Sequence, residues 1–263
     1  MSQRSSIAAL PPVCILAGGL GTRLGEQTRD IPKPLLDVAG EPFLLHQLRL
    51  LAAHHARVVV LCVGHRGELI ESRIGPARFG IDIRYSHDGP GLDGTLGAIR
   101  RASAQLGERF LVLYGDTYLR IDYRASAAAW AHSERPAMMA VLRNDGRWEA
   151  SNASFDGTRV TAYDKRRPVP QMRWIDYGLG GLTATALAAV DAEVRDLAEL
   201  YHALASGGEL FGFPATERFY EIGTPAALLE TDAFLRCARA EDGVGIDAQG
   251  DAHGGGRPRA IAK

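Results

Sequence analysis

Leu16-Ala17-Gly18-Gly19-Leu20-Gly21-Thr22-Arg23-Leu24, with Pro32-Lys33-Pro34-Leu35-Leu36 close behind it, is the stretch on which the reading of this chain turns. Ahead of it, Val13-Cys14-Ile15-Leu16 is a short apolar run that reads as a buried first strand. Three glycines within the next five residues make a loop for close backbone approach. Without Cβ atoms in the way, successive N–H groups can converge on anionic oxygens. Leu16, Ala17, Gly18, Gly19 and Gly21 would form this cradle, with Thr22 adding a hydroxyl and Arg23 and Lys33 adding positive charge. The ligand such a mouth suits is a polyphosphate.

Two familiar phosphate loops do not match. A Walker loop needs Gly, four residues, then Gly-Lys-Ser/Thr, and the chain has no such run. The dinucleotide fingerprint needs a glycine three residues after Gly21, where Leu24 stands. What Leu16 to Leu36 does resemble is the N-terminal motif of sugar-1-phosphate nucleotidyltransferases, and the likeness runs from about Val13 to Leu235. The resemblance implies an α/β fold of the Rossmann-like three-layer α/β/α kind with a mainly parallel central sheet. It also implies a Mg2+-dependent reaction of a nucleoside triphosphate with a sugar 1-phosphate, and release of pyrophosphate.

Outward from the loop, the rest of the chain agrees with an α/β fold. Val58 to Val63 and Phe110 to Tyr114 are apolar runs that read as buried strands, and Ile81 to Tyr85 alternates as a strand. Helical spacing marks Phe43–Ala56, Glu68–Ile74 and Leu96–Leu106, so strands and helices alternate as in a parallel sheet covered on both faces. The second half is less regular. It reads as a helix at Ala125–His132, strands at Pro136–Arg143, Arg159–Asp164, Trp174–Thr183 and Leu210–Phe213, and helices from Asp196 and over Pro225–Cys237. The expected organisation is a catalytic domain over 1–240, with a nucleotide-binding half at about 12–120 and a sugar-binding half at about 121–240. Residues 241–263 shift to Gly, Asp and Ala without periodicity and read as a disordered tail.

Composition narrows the class. The 263 residues are 46% hydrophobic with a net charge of −1, so bulk electrostatics points to neither nucleic acid nor membrane as partner. No run reaches membrane-spanning length, and a cytoplasmic protein is the expectation. Cys14, Cys62 and Cys237 are far apart and read as buried free thiols. His54 and His55 lack metal-ligand spacing and read as solvent-exposed, and the glycosylation match at Asn152-Ala153-Ser154 has no secretory context. A homodimer is left open.

Ligands of open parallel sheets sit at the carboxyl ends of strands. Asp116 leaves such an end, and magnesium on a triphosphate is held by one or two carboxylates plus phosphate oxygens. The family's first metal carboxylate falls on Asp116; its second, usually Asp, falls on Glu221 in Tyr220-Glu221-Ile222-Gly223. The resemblance also places Gly94-Thr95 at the base, Lys165 on the sugar phosphate, and Asp164, Asp176 and Gly178 at the sugar. Asp93, where relatives often have leucine, could accept from guanine N–H groups or cap the helix that follows. Arg23, Lys33 and Asp116 are the expected catalytic residues. The compact form looks most like guanylyltransferases for manno-heptose or mannose 1-phosphate. UTP-, dTTP- or CTP-dependent relatives, such as N-acetylmuramate or glucose 1-phosphate uridylyltransferases, stay open, as does a non-catalytic nucleotide-sugar sensor.

Overall fold

The computed structural model describes residues 10–89 and 94–241. The chain opens with β1 (Val13–Leu16), which empties into the glycine loop and two 3-10 segments, Thr22–Thr28 and Lys33–Leu35. A small hairpin, β2 (Asp37–Val38) and β3 (Glu41–Pro42), leads into α1 (Phe43–Ala53). Then follow β4 (Val58–Val63), α2 (Gly67–Ile74), β5 (Ala77–Arg78), β6 (Ile81–His87), α3 (Gly94–Leu106) and β7 (Arg109–Tyr114). The second half holds β8 (Thr117–Leu119), α4 (Tyr123–Ser133), β9 (Ala137–Arg143), β10 (Ala153–Phe155), β11 (Val160–Tyr163) and β12 (Trp174–Thr183). It closes with α5 (Ala184–Ala188), α6 (Leu197–Ser206), β13 (Leu210–Ala215), β14 (Phe219–Glu221) and α7 (Pro225–Glu241).

One sheet runs β11-β10-β12-β7-β1-β4-β6-β5, with β9 and β13 branching from β12. Its centre, β7-β1-β4-β6, is parallel. The strand side chains sort by the period of two. Val13, Ile15, Leu61 and Leu113 pack on one face against α1, α2 and α4, in a core with Leu44, Leu48, Ile70 and Trp130. Cys14, Val60, Cys62 and Val112 face the other way, against Leu96, Ile99, Leu200 and Tyr201 of α3 and α6. Both faces of β1, β4 and β7 are therefore covered, which is why these three carry apolar runs, while β6 alternates with Asp82, Arg84 and His87 exposed; the fold has three layers. Among the described residues no helix is long and apolar enough to cross a membrane.

Beyond β7 the sheet continues with antiparallel neighbours: β12 pairs with β7, β9 and β10. The short elements β8, β10 and α5 were not expected from sequence, being too brief to show a period. α7 runs four residues past the expected end at Cys237, and residues 242–263 of the expected tail lie outside the described ones. Two side-chain expectations are corrected. Cys237 is exposed rather than buried, while Cys14 and Cys62 are buried with their sulfurs 3.4 Å apart. His54 is not free in solvent: it is three-quarters buried, set edge-on to Tyr123 with ring centroids 5.2 Å apart.

Candidate functional site

The carboxyl ends of β1, β4, β6 and β7 open on one cavity of about 330 Å3. Its floor is backbone brought unusually close. A Cβ on Gly18 would sit 2.8 Å from Asp88 Oδ2 and 3.1 Å from Gly64 N, and one on Gly115 would sit 2.7 Å from the Leu16 carbonyl oxygen. Gly21 takes the left-handed conformation (φ 63°), and the Thr28 hydroxyl donates to its carbonyl at 3.0 Å, stapling the loop. Leu16, Ala17, Gly18, Gly19 and Gly21 all line this cavity, as do Lys33, Gly94, Thr95 and Asp116. Thr22 lines neither this cavity nor the next.

Asp116 sits where two strands turn. Gln47 of α1 reaches under that turn and donates to the carbonyls of Tyr114 (2.9 Å) and Thr117 (2.8 Å). Lys33, whose side chain is 11% exposed, places its ammonium 2.6 Å from Asp116 Oδ2, and the Thr117 hydroxyl donates to Oδ1 at 3.1 Å. Lys33 is thus already paired, its charge held at the mouth by the same carboxylate.

A second cavity of about 210 Å3 adjoins the first, and Tyr114 and Asp116 belong to both. Arg23, Glu149, Asn152, Lys165, Asp176, Gly178, Phe219 and Glu221 line it. β14 lies antiparallel to β8 with Thr117 opposite Glu221, so strand pairing carries Glu221 to the side of Asp116. Burial, and then the charge of Asp116, pushes the Glu221 carboxyl up; the Gly223 N–H on Oε2 at 3.0 Å pulls it back. Arg23 lies over this same turn, with Nη2 3.2 Å from where a Gly223 Cβ would stand. Lys165 sets its ammonium 5.4 Å from the centre of the Tyr114 ring, a cation–π contact between the two cavities.

Asp176 and Gly178 reach the second cavity because β12 shifts register between Asp176 and Gly180, and such an irregularity re-aims side chains. Asp176 accepts the Gly178 N–H at 3.0 Å and the Tyr163 hydroxyl at 3.3 Å, and burial pushes its carboxyl up. Asp164 is different. Its carboxylate accepts the N–H groups of Arg166 (2.9 Å) and Arg167 (2.8 Å), which hold it below the usual range, and it lines neither cavity. The Thr95 hydroxyl is likewise engaged, accepting the Leu197 N–H at 2.8 Å and donating to Asp196 at 3.2 Å at the start of α6. Asp93 lies outside the described residues.

Sequence reasoning passed over Asp88, Glu149, Asn152 and Gln47. Asp88 follows the last residue of β6, so the strand-end rule that found Asp116 would have found it. Glu149 and Asn152 stand in irregular chain between β9 and β10, and the glycosylation match at Asn152 is a signal that says nothing of a cavity. Asp116 and Glu221 make a two-carboxylate set, the number that magnesium uses when phosphate oxygens complete its shell; among the described residues no group of three or more His, Cys, Asp or Glu is arranged for a metal.

Comparison with known proteins adds five findings. The MobA-like NTP transferase domain family matches residues 13–209. The CMP-5'-(3-aminopropyl)phosphonate synthase of Streptomyces rubellomurinus is 34% identical over 57% of this chain and 25% of its own length. The mannose-1-phosphate guanylyltransferase catalytic subunit beta of Drosophila pseudoobscura pseudoobscura is 26% identical over 82% and 60%. The D-glycero-alpha-D-manno-heptose 1-phosphate guanylyltransferase of Campylobacter jejuni is 38% identical over 41% and 48%. This chain therefore spans less than two thirds of each of these relatives. In fold it is similar to the crystal structure of HddC from Yersinia pseudotuberculosis, with a TM-score of 0.71, 23% identity, and coverage of 86% of this chain and all of that one.

Proposed function

As the chain belongs to the MobA-like NTP transferase domain family, we propose that it transfers a nucleotidyl group from a nucleoside triphosphate to a sugar 1-phosphate. GTP with mannose or manno-heptose 1-phosphate is the favoured pair, in line with the guanylyltransferase relatives. One observation carries the reading: a glycine-floored cavity and a polar cavity meet at Tyr114 and Asp116. Triphosphate in the first and sugar phosphate in the second would bring an acceptor oxygen to the α-phosphorus.

The reaction is an in-line displacement. An oxygen of the sugar phosphate forms a bond to the α-phosphorus, the bond from that phosphorus to the bridging oxygen breaks, and its electron pair leaves with pyrophosphate. The attacking group is already an anion, so no protein nucleophile is required; positioning and charge neutralisation carry the catalysis. Lys165 and Arg23 would hold the incoming phosphate, while Lys33 and the loop N–H groups hold the triphosphate. Asp116 and Glu221 would hold Mg2+, which when bound neutralises phosphate charge. Asp88 supplies a carboxylate on the wall of the nucleotide cavity, and a carboxylate suits the paired N–H donors of guanine.

Pyrophosphate release with magnesium, measured for GTP, UTP, dTTP, CTP and ATP against a panel of sugar 1-phosphates, tests the reading. Release with GTP and a manno-configured acceptor is the expected result. Release with another base would overturn the guanine part alone. Silence across the panel, with nucleotide sugars still binding, would turn the reading to a sensor.

A further inference from the structure

We propose that Asn152 reads a hydroxyl oxygen of the acceptor, which makes the second cavity a site for hydroxyl-bearing glycosyl phosphates; this rests on the transfer reading above. Asn152 is 8% exposed and stands in the cavity wall beside Asp176. Its backbone is held on both sides: its N–H donates to the Trp174 carbonyl, and its carbonyl accepts from the Asp164 N–H, each at 2.9 Å. Its Oδ1 accepts the Asp176 backbone N–H at 2.9 Å. A partner that is itself a donor fixes which amide atom is the oxygen, so Nδ2 is turned the other way.

Nδ2 has no acceptor among the described residues, yet it is absent from the sealed polar atoms that lack a partner, which are Gln47 Oε1, Arg124 Nε and Tyr201 Oη. It is an open donor on a nine-tenths buried, clamped side chain, and the space that this side chain borders is the cavity. Asp176 beside it is an acceptor, since each carboxylate oxygen takes one protein donor and keeps a further lone pair. A donor and an acceptor side by side match a hydroxyl, which both gives and takes a hydrogen bond. An ammonium group offers donors only and would leave Nδ2 unanswered, so an aminoalkyl acceptor fits this wall less well.

The test is a pair of acceptor series run on two proteins. The wild type and Asn152→Asp are assayed for kcat/KM with GTP, using mannose 1-phosphate and its monodeoxy analogues. The aspartate keeps an oxygen for the Asp176 N–H and, when ionised, cannot donate; its charge beside the Asp176 carboxylate should lower the melting temperature, while KM for GTP should stay near wild type. Expected for Asn152→Asp is a loss of about tenfold or more with the parent acceptor. One deoxy analogue should lose as much in the wild type and nothing further in the variant, the signature of a broken pair. Should Asn152→Asp fail to fold, Asn152→Ala takes its place in the same comparison. Equal losses for every deoxy analogue in both proteins would overturn the proposal. So would a variant defect of one size on all acceptors, which would mark a contact to phosphate. Those results require a wild type that turns over; a wild type silent with every pair would overturn the transfer reading, and this proposal with it.

Discussion

Gly115 shows how little room the site leaves for a single atom. A Cβ there would stand 2.7 Å from the Leu16 carbonyl oxygen and 3.1 Å from Ala17 Cα, both backbone, so the glycine loop itself would have to move. Gly115→Ala should therefore cost about 1–3 kcal/mol, the usual range for overpacking, visible as a lowered melting temperature, and should cut pyrophosphate release because Asp116 is the next residue. A variant with wild-type stability and turnover would show that the loop yields freely. Asp116→Asn tests the neighbour. It keeps the size of the side chain and removes the charge that faces Lys33 at 2.6 Å and Glu221 across the strand pair. Turnover should fall to background while circular dichroism stays native; wild-type-like turnover would remove Asp116 from the reaction. Asp116 was legible because an apolar strand followed by Gly-Asp is a local pattern. Asn152 was not, because its meaning depends on the Asp176 N–H that β12 brings to it.

At the scale of one element, α4 opens on a cap that owes nothing to the site. Asp122 Oδ1 accepts the N–H groups of Arg124 and Ala125, each at 2.9 Å, which leaves fewer orphan donors in the first turn. Asp122→Ala should cost about 1 kcal/mol, with turnover unchanged below the melting transition. The sign of the pH effect follows from the same bonds. The Ala125 N–H foremost, and then that of Arg124, hold the folded carboxyl below its ordinary value, against the opposing effect of burial. The stabilisation is therefore present above the unfolded pKa of about 4 and is lost as pH falls through the lower folded one. The gap in melting temperature between wild type and Asp122→Ala should be full at pH 7 and should narrow below pH 4. A gap that persists at pH 2 would mean that the lost stability is packing rather than capping. Thr95 teaches a related lesson about legibility. Its sequence context reads as a base contact, but its hydroxyl caps a helix that starts about a hundred residues later, a partner that no local pattern announces.

Over the whole molecule, the parallel half was legible because β1, β4 and β7 are buried on both faces and carry apolar runs, and β6 shows the alternation of a strand with one face exposed. The antiparallel half was less so: β8 and β14 are three residues each, and only their pairing reveals them. That pairing is also what makes the site. It joins β8 to a strand from the second half of the chain and sets Glu221 beside Asp116, where burial first and then the charge of Asp116 push the Glu221 carboxyl up. A divalent cation between them would offset the repulsion, so metal and nucleotide should depend on each other. Chelation with EDTA should abolish pyrophosphate release, and magnesium should restore it. In thermal unfolding, GTP should raise the melting temperature strongly with magnesium and weakly without it. Glu221→Gln keeps the size of the side chain but loses its charge, and should narrow that difference while leaving the apo melting temperature near wild type or above it, because the mutual repulsion is gone. If GTP stabilises Glu221→Gln in the same metal-dependent way as the wild type, the second carboxylate is not a ligand, and the cation rests on Asp116 and phosphate oxygens alone.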